Sequence, residues 1–336
     1  MIAPEDMAAC RAMIRTGSLS FHAASRLLPA RVRDPALALY AFCRVADDDV
    51  DEVQDKAHAV LRLRERLDLI YAGRPEARPS DRAFAAVVTD FDLPRALPDA
   101  LLEGLAWDAM GRRYASLSDL HAYSARVAAA VGVMMCVLMR VREPDALARA
   151  ADLGLAMQLT NIARDVGEDA RAGRLFLPLD WLEEAGIDAE AFLADPRPSP
   201  ELAQVTARLL DVADELYRRS GAGIYSLPTD CRIGIAAARH IYAAIGTQVA
   251  RARHDSVTTR ARTSGGQKLG LMGRAAVAAG LTHVMPRPAQ LHARPVPEVA
   301  FLIEAAGQRS QRPQRSETLL SILAQLEARD RRGAAG

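Results

Sequence analysis

Two groups of acidic residues in this chain are spaced to hold a hard cation. In one, Asn161, Asp165 and Asp169 follow one another at steps of four. In the other, Asp47-Asp48-Asp49 is followed by Val50 and Asp51. A step of four turns a helix by about 400°, so three such residues drift by only ~80° and share one stripe. Two carboxylates and an amide on one stripe suit Mg²⁺ or a similar oxygen-seeking ion. Packing four aspartates into five residues costs a few tenths of a kcal/mol per like-charged pair four apart. The cost grows inside a pocket unless a cation neutralises them. A lone motif of this kind is usually a solvated helix end. Two of them, each closing a strongly apolar helical stretch, can face each other and share several Mg²⁺ ions with a diphosphate, since Mg²⁺ keeps its waters and favours phosphate oxygens. The ligand so implied has a diphosphate head and an apolar body.

The elements that must position these residues read as helices throughout. Residues 4–16 form the first and stop near Gly17. Ser18 to His22 follow, and 23–28 end at Pro29. Asp34-Pro35 starts a helix, with an oxygen-bearing cap and proline at the first position. Its apolar residues Leu37, Leu39, Tyr40, Phe42 and Val45 lead into the first aspartate cluster. Further helices are expected over 57–72, 81–90, 98–113 and 119–141. The next opens at Pro144 and carries the second cluster to about Ala170. Pro178 begins a short segment, residues 195–200 form a proline-rich loop, and two long helices span 201–224 and 229–253. Thr258–Gly266 reads as a basic turn. No alternating strand pattern longer than a few residues occurs, so the chain is all-α. Residues 1–285 are expected to form one helical domain around an apolar cavity. Residues 286–336 form a proline-rich connection and helical tail, packed on that domain or frayed from it.

Composition narrows the classes. Among 336 residues, 43 basic and 42 acidic side chains nearly cancel, and aromatics make up 5%. Neither a basic field nor a stacking surface for nucleic acid is present. The four cysteines lie apart with no CxxC spacing, which argues against a zinc site or disulfide framework and fits a reducing cytoplasm. No secretory signal is evident at the N-terminus. The apolar run Val127–Met139 covers only about 20 Å as a helix, short of a ~30 Å hydrocarbon core, and reads as buried. Peripheral contact with the inner face of a membrane stays open.

The run from Tyr40 through Arg44 to Asp51-Glu52 resembles the first aspartate-rich motif of the phytoene and squalene synthase family. Gln158 to Pro178 is similar to that family's second signature, QLTNIxRDVGEDxxxGRxYLP, with Phe176 where tyrosine is usual. The likeness extends to Ser18-Leu-Ser20-Phe21, Glu103 to Asp108, Gly132, and Arg239–Ile245 around Tyr242, or roughly residues 15–260. It implies an isoprenoid synthase fold and head-to-head condensation of two allylic diphosphates. The nearest members are bacterial enzymes that join two geranylgeranyl diphosphates through prephytoene diphosphate to phytoene.

By that resemblance Asp47, Asp48, Asp51, Asn161, Asp165 and Asp169 hold Mg²⁺, with Mn²⁺ as the substitute, and no nicotinamide cofactor is expected. Ser18, Ser20, Tyr40, Arg44, Gln158, Asn161, Arg164 and Arg174 bind the diphosphate, although Leu19 stands where a basic residue is frequent. Tyr242 shields the cation or touches diphosphate, and Arg260 and Arg262 are weaker candidates. Val127–Met139, with Gly132, forms one wall of the prenyl pocket. The alternatives are a squalene or dehydrosqualene synthase using fifteen-carbon chains, a non-catalytic prenyl-lipid-binding or assembly protein, and a helix bundle whose aspartates merely solvate it.

Overall fold

The computed structural model describes residues 2–17, 23–51 and 56–307, with backbone alone at 15–17, 50–51 and 56–57. Ser18 and Ser20 fall outside the described residues, as does the side chain of Asp51. Among the described residues thirteen α-helices carry the fold and no strand occurs. In chain order they are α1 (Pro4–Gly17), α2 (Ala30–Asp51), α3 (Lys56–Tyr71), α4 (Pro79–Phe91) and α5 (Ala96–Ala109). Then come α6 (Leu117–Leu138), α7 (Pro144–Arg171), α8 (Leu179–Glu184), α9 (Ala189–Ala194) and α10 (Pro200–Gly223). Last are α11 (Thr229–Arg251), α12 (Gly265–Leu281) and α13 (Ala300–Gly307).

α7 is the axis. Its 28 residues extend about 42 Å at 1.5 Å per residue, and it packs against α6, α10, α11 and α13. Leu147, Leu155, Leu159 and Ile162 lie buried along it, so one helix both fills the core and carries the second aspartate cluster. Small residues let α6 and α7 touch. A Cβ on Gly132 would sit 2.6 Å from the Ala150 carbonyl oxygen, and one on Gly154 would sit 2.6 Å from the Ala128 carbonyl and the Ala129 Cα. Backbone cannot step aside as a side chain can. Gly154→Ala should therefore cost about 1–3 kcal/mol, seen in urea as a lower midpoint with an unchanged slope.

Several elements differ from the sequence reading, and α5, expected over 98–113, ends at Ala109. α2 begins at Ala30, so Pro35 lies inside it. The extra turn hangs from the Pro29 carbonyl, which accepts from the Val32 and Arg33 amides at 2.9 and 2.8 Å, and it buries Val32 completely. α6 runs unbroken for 22 residues and is long and apolar enough to cross a membrane, yet 61% of its apolar window is buried in the protein. A π-helical turn at Ala125–Ala129 lies inside it, with Gly104 of α5 leaving room for Val127. α12, finally, was not foreseen at all.

The first aspartate cluster splits by helical angle. Asp49 points away from Asp47, toward α3 and α4, where it receives Arg66 and Arg78. Arg66 also spans Asp81, donating from Nε at 2.9 Å and from Nη2 at 2.6 Å. Arg66 and Asp81 are both buried. This network pins the end of α2 and so fixes the direction of Asp47.

Candidate active site

Two cavities meet at the middle of α7. The inner one, ≈ 280 Å³, is walled by Leu39, Val127, Val131, Met135, Leu153 and Met157 among others. Gly132 and Tyr40 line it too. The outer one, ≈ 680 Å³, is polar. Gln158, Asn161 and Tyr242 line both, so they form the rim between an oxygen- and nitrogen-rich chamber and a hydrocarbon-like tunnel.

The chamber gathers most of the residues singled out in the sequence. Arg44 and Asp47 enter from α2. Arg164, Asp165 and Asp169 enter from α7, and Arg174 follows from the loop beyond it. Arg260 and Arg262, the weaker candidates, line it as well. Asp48 does not line it. Its carboxylate accepts from Arg44 Nε at 3.0 Å, one turn back on α2.

Local chain geometry explains how these groups converge. α7 ends with Gly173 at φ +73°, its amide donating to the Ala170 carbonyl at 2.9 Å, and the Arg174 amide donating to the Asp169 backbone carbonyl at 2.8 Å. This glycine-capped turn swings Arg174 back to Asp169, where Nη2 lies 3.3 Å from Oδ1. Phe176 then stacks near Tyr114 and Tyr123. On the other side, the segment after α11 rests directly on α7. The Gly167 amide donates to the Ser256 carbonyl at 3.0 Å, and a Cβ on Gly167 would meet the Val257 Cα at 2.5 Å. Arg171 Nη2 donates to the Val257 carbonyl at 2.6 Å. That seat brings Arg260 Nε to Asp165 Oδ1 at 2.8 Å, while Arg164 Nε reaches the same oxygen at 2.8 Å.

The two α7 aspartates therefore differ. Burial works to raise the Asp165 carboxyl, but Arg164 and Arg260 outweigh it and hold the group below the usual carboxylate range. Asp169 is pushed up to about 6 by burial, with Asp165 and Glu168 adding repulsion that Arg174 only partly offsets. In chelator the folded chain should thus hold a proton near pH 5 that an unfolded Asp169, at about 3.8, has lost. Its contribution to stability is full below about 4 and declines as the pH rises through about 6. Thermal melts across that range should show the decline, and Asp169→Asn should flatten it.

Sequence reasoning passed over other chamber residues. Asp108 lines it and accepts from the Tyr123 hydroxyl at 2.8 Å. It lay within a matched motif but had no role assigned. Lys268, on α12, also lines the chamber, and only its basic neighbourhood hinted at it.

The donor set fits a metal shared with a ligand. Among the described residues, no three acidic, histidine or cysteine groups stand close enough to cage an ion alone. Asp47, Asn161, Asp165 and Asp169 instead line one chamber with five arginines and a lysine. Hard oxygen donors beside cationic side chains suit Mg²⁺ arriving with a diphosphate, whose oxygens complete its shell.

A family model described as squalene/phytoene synthase matches residues 14–267. A protein named phytoene synthase from Rhodobacter capsulatus is 66% identical over 334 residues, covering 98% of each chain. One of the same name from Cereibacter sphaeroides is 64% identical, covering 98% of this chain and 96% of its own. Among solved structures, a dehydrosqualene synthase bound to a ligand superposes with a TM-score of 0.75. It is 31% identical and is matched over 82% of this chain and 97% of its own.

Proposed function

The chain belongs to the squalene/phytoene synthase family, and on that premise we propose how its two cavities join two geranylgeranyl diphosphates head to head into phytoene. The reaction passes through prephytoene diphosphate and releases two diphosphates. The carrying observation is the shared rim: Gln158, Asn161 and Tyr242 border both cavities. A prenyl diphosphate laid across it has its head among arginines, its chain among aliphatic side chains, and its reacting carbon between them.

Arg44, Arg164, Arg174, Arg260 and Lys268 supply donors to diphosphate oxygens as negative charge develops on the leaving group. Asp47, Asp51, Asp165 and Asp169, with Asn161, are the residues to hold Mg²⁺ or Mn²⁺, and Asp48 stays with Arg44 beside them. When bound, such ions act as Lewis acids toward the departing diphosphate. Tyr242 stands at the rim, where the allylic cation forms. The tunnel wall from Val127 to Met139 keeps water from that cation until the second chain captures it.

Relatives named phytoene synthase at 66% and 64% identity favour twenty-carbon substrates over the fifteen-carbon chains of dehydrosqualene or squalene synthases. Incubation with geranylgeranyl diphosphate and Mg²⁺, without NADPH, should yield a forty-carbon hydrocarbon. A product formed only from farnesyl diphosphate, with thirty carbons, would overturn the substrate.

A further inference from the structure

α12 breaks the ordinary rule for a surface helix, which buries an apolar stripe and shows charge to water. Its inner side is small: Ala275 and Ala279 are buried, Ala275 against Ala236 and Ala237 of α11. Its outer side is apolar as well. Leu269, Gly273, Ala276, Val277, Gly280 and Leu281 are exposed and fall within about 140° of the helix circumference. Leu269 is 71% exposed, Val277 66% and Leu281 50%, and beyond the helix Val284 and Met285 stand at 77% and 55%. These five make up more than half of the nine exposed large hydrophobics among the described residues. None of the five glycines of α12 is required by crowding, because a Cβ on Gly265, Gly266, Gly270, Gly273 or Gly280 would meet nothing within 4 Å.

The charges around this face are of one sign. From Ser256 to Pro297 there is no aspartate or glutamate, whereas Arg260, Arg262, Lys268, Arg274, Arg287 and Arg294 lie within it. In a chain whose 43 basic and 42 acidic residues otherwise balance, this is a local excess of positive charge. Arg262, Arg274 and Arg287 are exposed beside the apolar residues.

We propose that α12 and the turn through Met285 form a docking face for an anionic lipid bilayer, with Leu269, Val277, Leu281, Val284 and Met285 entering the interface and the flanking arginines meeting lipid phosphates. An apolar helix face rimmed by basic residues is the arrangement that lies in a headgroup layer, and each basic side chain near such a surface adds to the attraction. Charge selects this occupant over others. A second copy would set one acid-free face against another. Residues 308–336 carry six arginines against three acids, so they match the face no better. They also depart from α13, which packs on α5, α6 and α7, while α12 pairs with α11. The face adjoins the chamber mouth, since Lys268 of α12 and Arg260 and Arg262 before it line the chamber. Only here does the proposal rest on the function above: prenyl chains and a forty-carbon hydrocarbon reside in bilayers, so docking beside the mouth spares them a passage through water.

Full-length protein is mixed with vesicles of phosphatidylcholine alone, or of phosphatidylcholine with about one third phosphatidylglycerol. It should sediment with the anionic vesicles, far less with the neutral ones, and be released by high salt. The triple variant L269E/V277E/V284E should lower the bound fraction at least about tenfold, with turnover of detergent-dispersed substrate unchanged. A polarity-sensitive dye on Val277→Cys gives an independent reading. The native thiols compete poorly, since burial pushes Cys10 and Cys231 up to about 11 and Cys43 and Cys136 up to about 12. The dye should report water in buffer and an apolar site when anionic vesicles are added. Equal sedimentation of the triple variant and its parent would overturn the proposal. A dye already shielded in buffer would do so too, since a second copy or the chain's own tail would then cover the face. Both readings are independent of turnover, so an error in the substrate leaves them intact.

Discussion

Asp165→Ala should lower hydrocarbon formation by about 10²–10³-fold while the protein stays folded. That range is the usual cost of removing one preorganised group that stabilises developing charge. Asp165 is the carboxylate with most invested in it: Arg164 and Arg260 both donate to it, and it lines the chamber beside Asp169. Losing it frees two guanidiniums, but the chamber is polar and open enough to hydrate them. Circular dichroism melts close to those of the parent would accompany the lost turnover. Turnover within a few-fold of the parent would remove Asp165 from any role at the diphosphate. Asp169→Ala should behave alike.

The second large effect is structural. Arg66→Ala should destabilise the fold by about 3–5 kcal/mol, because it leaves the buried Asp81 carboxylate without its cation. Arg66 and Asp81 are 1% and 0% exposed, so water cannot replace the lost donors. Asp49 would keep Arg78, 2.9 Å away, and is the lesser casualty. Replacing both partners, Arg66→Met with Asp81→Leu, should recover most of the loss, since a buried ion pair adds little over apolar packing of similar volume. Chemical denaturation of the single and double variants decides between these outcomes. Equal loss in both would mean that packing around α3 and α4, and not charge, sets the cost.

Much of this fold can be read directly from the chain, for reasons that are local. Pro144 opens α7 and Gly173 closes it, and the four-residue spacing places Asn161, Asp165 and Asp169 along one face. Such signals need only the helix repeat and the chemistry of proline and glycine. What escaped depends on distant partners. Arg260 stood among the weaker candidates, but its ion pair with Asp165, across 95 positions, is announced by nothing within Thr258–Gly266. Asp49 looks like its neighbours in sequence, yet helical rotation sends it to Arg66 and away from the chamber. α12 was missed because its five glycines and sparse charge resemble a linker, and contact with α11 supplies what its own propensity lacks. The π-helical turn of α6 is likewise a consequence of packing against α5, invisible in a run of alanines and valines.

The arginines around α7 have one more consequence, for the order in which the molecule matures. Each α7 aspartate of the chamber already has a guanidinium beside it, Arg164 and Arg260 at Asp165 and Arg174 at Asp169. Small zinc domains collapse only when their ion arrives, because nothing else balances their ligands. Here the counter-ions are built into the chain. Ribosome to working scaffold is thus a route the protein can complete in a metal-poor cell, and later shortage should silence it reversibly without discarding it.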